Sequence, residues 1–375
     1  MRFLTAIAAL AALLVAASCG GGSGATAPRA CAGLRRPGIP LAFAPAKAPT
    51  AARARCLGLQ YSAVIGRLAW GTLPQTMRTA SPSLAAWQQR SLLYACNGCG
   101  LAGFGLDWVR AHHPGWIMHS ESGAEIHPHQ HPSWVLLNFT APKYENAWGV
   151  HVRKSLAAGG WTGVDVIDAG NDPDWSDIPV NPPTGEPMTE GQRRFDLAAA
   201  LALVRAVLKL PGYSLLATNG PPSVIDFDQV NSTDAVTAGR GFARLGGPAW
   251  RTVLDYYRQV GIWQVGTYVP DRGQLTRAQA VYGLAGFLLV QIPRSSAYVA
   301  PDPPGSPLYA IQPGTPPDTP PMQRGPVWLR TYPNGMVVVN PSTVAATVTL
   351  GGAGQVVIGP ESAAIETGGH LITSG

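Results

Sequence analysis

Charge is scarce in this chain: only 13% of its 375 residues are Asp, Glu, Lys or Arg, and the excess of six positive charges is carried by scattered arginines. No basic stripe with interleaved aromatics is present, which argues against a nucleic-acid partner. Cysteine is scarce too, with five residues and a single CxxC pair, Cys96-Asn97-Gly98-Cys99. Without a second such pair or a thioredoxin-like context, neither a zinc site nor a redox centre is the natural reading. The one long apolar run, Leu4 to Ala17, is too short to cross a bilayer comfortably.

That run follows Met1-Arg2-Phe3 and reads as an export signal. It ends at Ala16-Ala17-Ser18-Cys19-Gly20, which resembles a bacterial lipoprotein processing site with Cys19 as the lipidated residue. Ala16 stands where such sites more often carry Leu, so a secreted product is the alternative, and both readings place the chain outside the cytoplasm. The Gly, Ser, Ala and Thr of residues 20–28 suit a flexible tether. Four cysteines remain, and an even number in an exported chain suggests disulfides. The sequence-local pairing is Cys31 with Cys56 and Cys96 with Cys99, although sequence alone does not fix connectivity.

From Tyr61 onward, β-rich runs alternate with helical stretches, the pattern of parallel βα units. The expected strands are Tyr61–Ala69, Ser91–Cys96, Gly115–Met118, Gly163–Asp168, Tyr213–Thr218, Asp234–Ala238, Gly261–Tyr268 and Ser296–Val299. Eight is the count of a closed barrel. Helices are expected over Ser83–Gln89, Tyr144–Ala158, Glu190–Leu210, Pro248–Val260 and Thr276–Val290, with Pro211-Gly212 stopping the third. Residues 119–140 form an excursion after the third strand, with Trp134–Phe139 strand-like inside it. A Pro-rich stretch then precedes a hairpin, Val327–Tyr332 and Met336–Pro341 around Pro333-Asn334-Gly335, followed by strand-like Thr347–Leu350, Gln355–Ile358 and Ala363–Glu366. The expected fold is therefore a (β/α)8 TIM barrel with a small C-terminal antiparallel β domain. Its parts are a lipoprotein-type signal peptide over 1–19, a tether and N-terminal segment over 20–55, the barrel over 56–305, a linker over 306–323 and a β-sandwich-like domain over 324–375.

Several segments together resemble a family of bacterial glycoside hydrolases with a (β/α)8 barrel and a small C-terminal β-sandwich. They are His113-Pro114-Gly115-Trp116-Ile117-Met118, Asn138-Phe139-Thr140-Ala141-Pro142-Lys143-Tyr144 with Trp148, Gly159 to Asp168, Asn219-Gly220, and Asn334-Gly335-Met336-Val337-Val338-Val339-Asn340-Pro341-Ser342. The resemblance implies an enzyme cleaving O-glycosidic bonds. In the family a Glu commonly closes the sixth strand, and the matching position here is Gly239, or Arg240 if the alignment slips by one. Neither can act as a general acid at neutral pH.

Glycoside hydrolysis generally pairs a nucleophilic or basic carboxylate with a carboxylic acid that protonates the leaving oxygen. Asp168, at the expected carboxyl end of the fourth strand, suits the first role; its structural alternative is capping or pairing with a buried Arg. Asp165 reads as a barrel-interior residue hydrogen-bonded within the strand layers. For the second carboxylate, Asp228 is the choice, with Asp226 and Glu121 as further candidates. Trp70, Tyr94, Trp263 and Tyr268 are expected sugar platforms, and Asp172 and Asn219 expected hydroxyl partners, each with packing, loop or turn roles as the alternative. Eleven Trp and eleven Tyr in an exported chain favour a carbohydrate ligand. His127-Pro128-His129-Gln130-His131-Pro132 reads as an exposed loop more readily than as a metal site, and no metal or organic cofactor is required. The expected function is an extracytoplasmic glycoside hydrolase acting on an envelope or environmental polysaccharide and held to the membrane through Cys19. The alternative is a non-catalytic carbohydrate-binding lipoprotein with a degenerate site.

Overall fold

In chain order the first ten strands are β1 Leu41–Phe43, β2 Ala63–Gly66, β3 Ala85–Arg90, β4 Tyr94–Ala95, β5 Val135–Leu136, β6 Gly163–Val166, β7 Ser214–Asn219, β8 Ala235–Ala238, β9 Trp263–Thr267 and β10 Ser296–Val299. The helices are α1 Ala51–Gln60, α2 Leu73–Ala80, α3 Leu106–His112, α4 Pro142–Gly159, α5 Glu190–Lys209, α6 Gly247–Gln259 and α7 Arg277–Val290. These come from a computed structural model that describes residues 31, 37–44, 47–101, 103–167, 175–182, 185–209, 212–219, 235–238, 242, 246–259, 263–267, 275–293, 296–299, 306–351 and 353–374. At 218–219, 235–238, 256, 259 and 263–267 it describes the backbone alone.

Eight strands form a curled parallel sheet in the order β1-β10-β9-β8-β7-β6-β3-β2, and β1 pairs with both β2 and β10. Helices follow β1, β2, β6, β8 and β9, and α4 follows β3 after an excursion; residues 220–234, between β7 and β8, lie outside the described residues. Alternation sorts each strand into two faces. Ala42, Ala63, Ile65, Trp87, Leu216 and Ala297 pack with one another inside the curl. Leu41, Val64, Ala86, Val164, Val166, Leu215, Ala217 and Tyr298 face outward into the layer they share with the helices.

One glycine is dictated by this interior. Trp87, Gly163 and Ser214 share a level of the sheet, and the Trp87 indole N–H donates to Ser214 Oγ at 2.9 Å. A Cβ on Gly163 would stand 2.2 Å from the Ser214 carbonyl oxygen and 2.8 Å from the Trp87 ring. Only glycine fits beneath the indole.

The C-terminal part adds β11 Met322–Arg324, β12 Val327–Tyr332, β13 Gly335–Asn340, β14 Ala346–Leu350, β15 Gly354–Ile358, β16 Ser362–Thr367 and β17 His370–Thr373. Five of these make an antiparallel sheet in the order β11-β12-β13-β16-β17, and β14 pairs with β15 separately. On one face Trp328, Tyr332, Val337, Val339, Ala363 and Ile365 join the large core that includes α7. On the other, Val327, Leu329, Val338 and Ala364 meet Leu350 and Ile358 of the β14–β15 hairpin.

The long apolar helix α7 is buried without a break from Ala280 to Val290. A helix apolar all round needs cover on every side, and the C-terminal sheet supplies what the curled sheet cannot. Its start is fixed by a capping box between Thr276 and Gln279. Its end is capped from the sheet: the Arg330 guanidinium donates to the carbonyls of Leu288, Leu289 and Gln291 at 3.3, 2.9 and 2.8 Å, and the Tyr332 hydroxyl also donates to Leu288. Those carbonyls belong to the helix end, which has no amide partners of its own. Residues 33–375 form one compact unit.

Three sequence expectations are corrected here. Ser91–Cys96 and Gly115–Met118 are not strands of the curled sheet: β4 pairs with β5 in a small antiparallel ladder, and Pro114–Trp116 is a 3-10 turn. The helix expected over Ser83–Gln89 is instead β3, because pairing with β2 and β6 outweighs the local helix preference of Ala and Gln. The first strand, Leu41–Phe43, lies in the stretch expected to be tether and N-terminal segment, where four residues between Pro40 and Pro45 carry no readable period. The two missed strands replace the two misplaced ones, so β6 is still fourth in the sheet. Cys96 and Cys99 are disulfide-bonded to each other, and Cys31 and Cys56 are each disulfide-bonded as well.

Candidate functional site

In parallel sheets of this kind the carboxyl ends of the strands carry the chemistry. On β6, Asp165 is 1% exposed and shares a level with Gln89 and Leu216 inside the curl. Its Oδ2 accepts a hydrogen bond from Gln89 Nε2 at 3.4 Å. This matches the reading of Asp165 as an interior carboxylate held between strand layers. The strand's carboxyl end is pinned to β3, since the Ile167 amide donates to the Arg90 carbonyl at 3.1 Å. Arg90 itself is buried, its guanidinium donating to Gln88 and to Ser155 of α4, both at 2.9 Å, and burial pulls its pKa down to about 10.

Beyond β3 the chain enters the excursion. Two buried side chains of α4 fasten its first residues: Tyr144 donates to the Leu92 carbonyl at 2.5 Å and the Trp148 indole to the Ser91 carbonyl at 2.8 Å. Tyr94 then joins an aromatic group. Its hydroxyl accepts from the Trp175 indole at 2.7 Å, and its ring lies 5.9 Å from Trp134. His131 stacks on Trp134 at 4.3 Å, His127 Nδ1 lies 2.7 Å from the Trp134 carbonyl, and the Arg193 guanidinium sits 5.6 Å from the Trp175 ring centre. A ring with a polar tip, an indole and a guanidinium held together can present both faces and donors to a sugar.

A second aromatic group runs from Phe104, just before α3, along that helix and into the turn after it. Phe104, Trp108 and His112 follow one another at helical spacing with ring centres 5.0 and 5.1 Å apart, and His113 stacks on Trp116 at 3.9 Å. His112 is the last residue of α3 and His113 caps it.

The expected site residues fall in different places. Tyr94 stands in the first aromatic group, though it is only 9% exposed. Trp70 is 3% exposed and packs among Phe43 and Trp161 in the layer outside the curled sheet, the position of a core residue. Trp263 is the first residue of β9, so it stands at the amino end of that strand and not at its carboxyl end; Asn219 is the last residue of β7, paired with Ala238. Asp168, Asp172, Asp228, Tyr268 and Cys19 lie outside the described residues, as do Asp226, Gly239 and Arg240. Glu121 is exposed in a turn. Trp175 and Arg193 carry no local sign in sequence that they will meet Tyr94: one is an indole after a polar run, the other an Arg one turn into a helix. Among the described residues no group of three or more potential ligands is placed to hold a metal.

No protein-family model matches the chain, and no curated protein matches it. Solved structures do. A variant of the GH36 alpha-galactosidase AgaA from Geobacillus stearothermophilus, in complex with stachyose, is 10% identical over 89% of this chain and 54% of its own, with a TM-score of 0.54. The cycloalternan-degrading enzyme from Trueperella pyogenes, in complex with cycloalternan, is 11% identical over 90% of this chain and 59% of its own, at 0.50. The glycoside hydrolase domain of PelA from Pseudomonas aeruginosa is 15% identical over 67% of this chain and 90% of its own, at 0.42. The fold is glycoside hydrolase-like. At such identities the likeness is one of fold, and the chain spans about half the length of the first two neighbours.

Proposed function

We propose that this chain is an extracytoplasmic glycoside hydrolase: a complete (β/α)8 barrel with a C-terminal β domain, exported by its leader and lipid-anchored through Cys19, cleaving O-glycosidic bonds of a polysaccharide. Asp168 acts as nucleophile or transition-state stabiliser and Asp228 as partner acid. Tyr94, Asp172, Asn219 and Tyr268 hold the sugar. The observation that carries this reading is the course of β6, the fourth strand, which runs through the curled sheet with a buried carboxylate at Asp165 and leaves its carboxyl end toward Asp168. The sugar complexes of two fold neighbours support a carbohydrate partner.

The test is release of reducing ends from cell-envelope glycans by the purified chain, compared with Asp168→Asn. Abolished release with unchanged folding supports the assignment; undiminished release removes Asp168 from the mechanism. Gly239, at the place where the resembled family carries Glu, favours a second reading, a sugar-binding lipoprotein without turnover. Glycan binding with no product after prolonged incubation would decide for it.

A further inference from the structure

A cavity of about 1040 Å³ lies between the start of α7, the turn over 306–312 and the β16–β17 end of the C-terminal sheet. It sits at the upper end of the ~300–1,000 Å³ typical of small-molecule sites. Its wall is aliphatic, formed in large part by Leu308, Ile311, Leu371 and Ile372, and among the described residues no Trp, Tyr or Phe lines it. That distinguishes it from the aromatic groups near Tyr94 and Trp108 and argues against a sugar, whose rings pack best on indole and phenol faces. A guanidinium, Arg277, and an imidazole, His370, complete the lining, and among the described residues no carboxylate does. Neither side chain has a hydrogen bond or ion pair among the described residues. At the helix start the capping box occupies the amides of Thr276 and Gln279, and Arg277 supplies the full positive charge for an anion. Leu371 is 40% exposed on an edge strand.

We propose that this cavity binds a medium-chain fatty-acid anion, its acyl chain along the aliphatic wall and its carboxylate between Arg277 and His370. A guanidinium matches a carboxylate with two parallel N–H donors. Burial of the chain supplies the affinity, and the Arg277 guanidinium with a hydrogen bond from the His370 ring fixes its direction. The site is independent of hydrolysis in the barrel.

The experiment titrates the full chain with octanoate, decanoate and dodecanoate below their micelle concentrations. One molecule should bind per chain, tightening by about fourfold for each added methylene. Arg277→Gln should weaken dodecanoate by about tenfold. Leu371→Glu, which places a carboxylate in the wall, should do so at least as strongly. Both positions are exposed, so folding is retained and is checked by thermal melting. An affinity that does not change with chain length overturns the proposal, as do variants that bind like the parent. Binding confined to phosphatidylglycerol vesicles, or saturable displacement of dodecanoate by a neutral oligosaccharide, overturns it as well.

Discussion

Glu145→Gln should stabilise this protein at neutral and alkaline pH and do little in acid. Glu145 lies in the first turn of α4, where the helix dipole favours a negative charge, yet it is only 4% exposed. Burial is the larger effect and Asp196 on α5 repels the ionised form, so the carboxyl is pushed up to about 7 from its ordinary 4.5. Asp196 has needs of its own: Oδ1 accepts from Gln192 Nε2 at 2.9 Å, while Oδ2 is buried without a partner among the described residues. The sign follows from linkage. A carboxyl whose pKa is raised on folding contributes its full stability below about 4.5, and that stability is lost as pH rises through about 7. At about 1.4 kcal/mol per unit of pKa, the loss approaches about 3 kcal/mol by pH 8. A neutral Gln of the same shape escapes it. Urea denaturation of parent and variant at pH 5, 6, 7 and 8 measures the effect. The variant's advantage should grow from about 1 kcal/mol or less at pH 5 to about 3 kcal/mol at pH 8. An advantage that stays flat across this range would refute the reasoning, because a packing effect has no reason to follow the titration.

Arg330→Met removes the donor that caps α7 and should cost about 3 kcal/mol or more in chemical denaturation, since several buried carbonyls lose their partner together. Arg330→Lys should recover little of this, because an ammonium lacks the planar fork. Gly163→Ala should lower stability by about 2–3 kcal/mol, seen as a drop in melting temperature, as its methyl meets the Ser214 carbonyl and the Trp87 ring. Replacing Cys96 and Cys99 together by Ser should cost at most about 2 kcal/mol, because a bridge across three residues closes a very short loop.

The helices of the second half were legible because apolar residues recur at helical spacing between clear stops: α4, α5, α6 and α7 lie within one or two residues of their expected bounds. The β12–β13 hairpin was equally plain from its alternation around Asn334-Gly335. Where reading failed, the deciding contacts are distant in sequence. Ala85–Arg90 favours a helix by composition and becomes a strand because Ala63–Gly66 and Gly163–Val166 lie on either side of it. Trp70 carried the chemistry of a sugar platform but is claimed by Phe43 and Trp161.

By itself, the sequence determined the parallel βα rhythm, the position of the strand that carries Asp165 toward Asp168, and the antiparallel β segment at the end, because periodicity and turn chemistry are local. Only the tertiary structure decided which segments pair around the curled sheet, that Trp175 and Arg193 gather at Tyr94, and that Arg330 closes the end of α7. Each of those depends on residues far apart in the chain meeting at one place, and no local pattern records it.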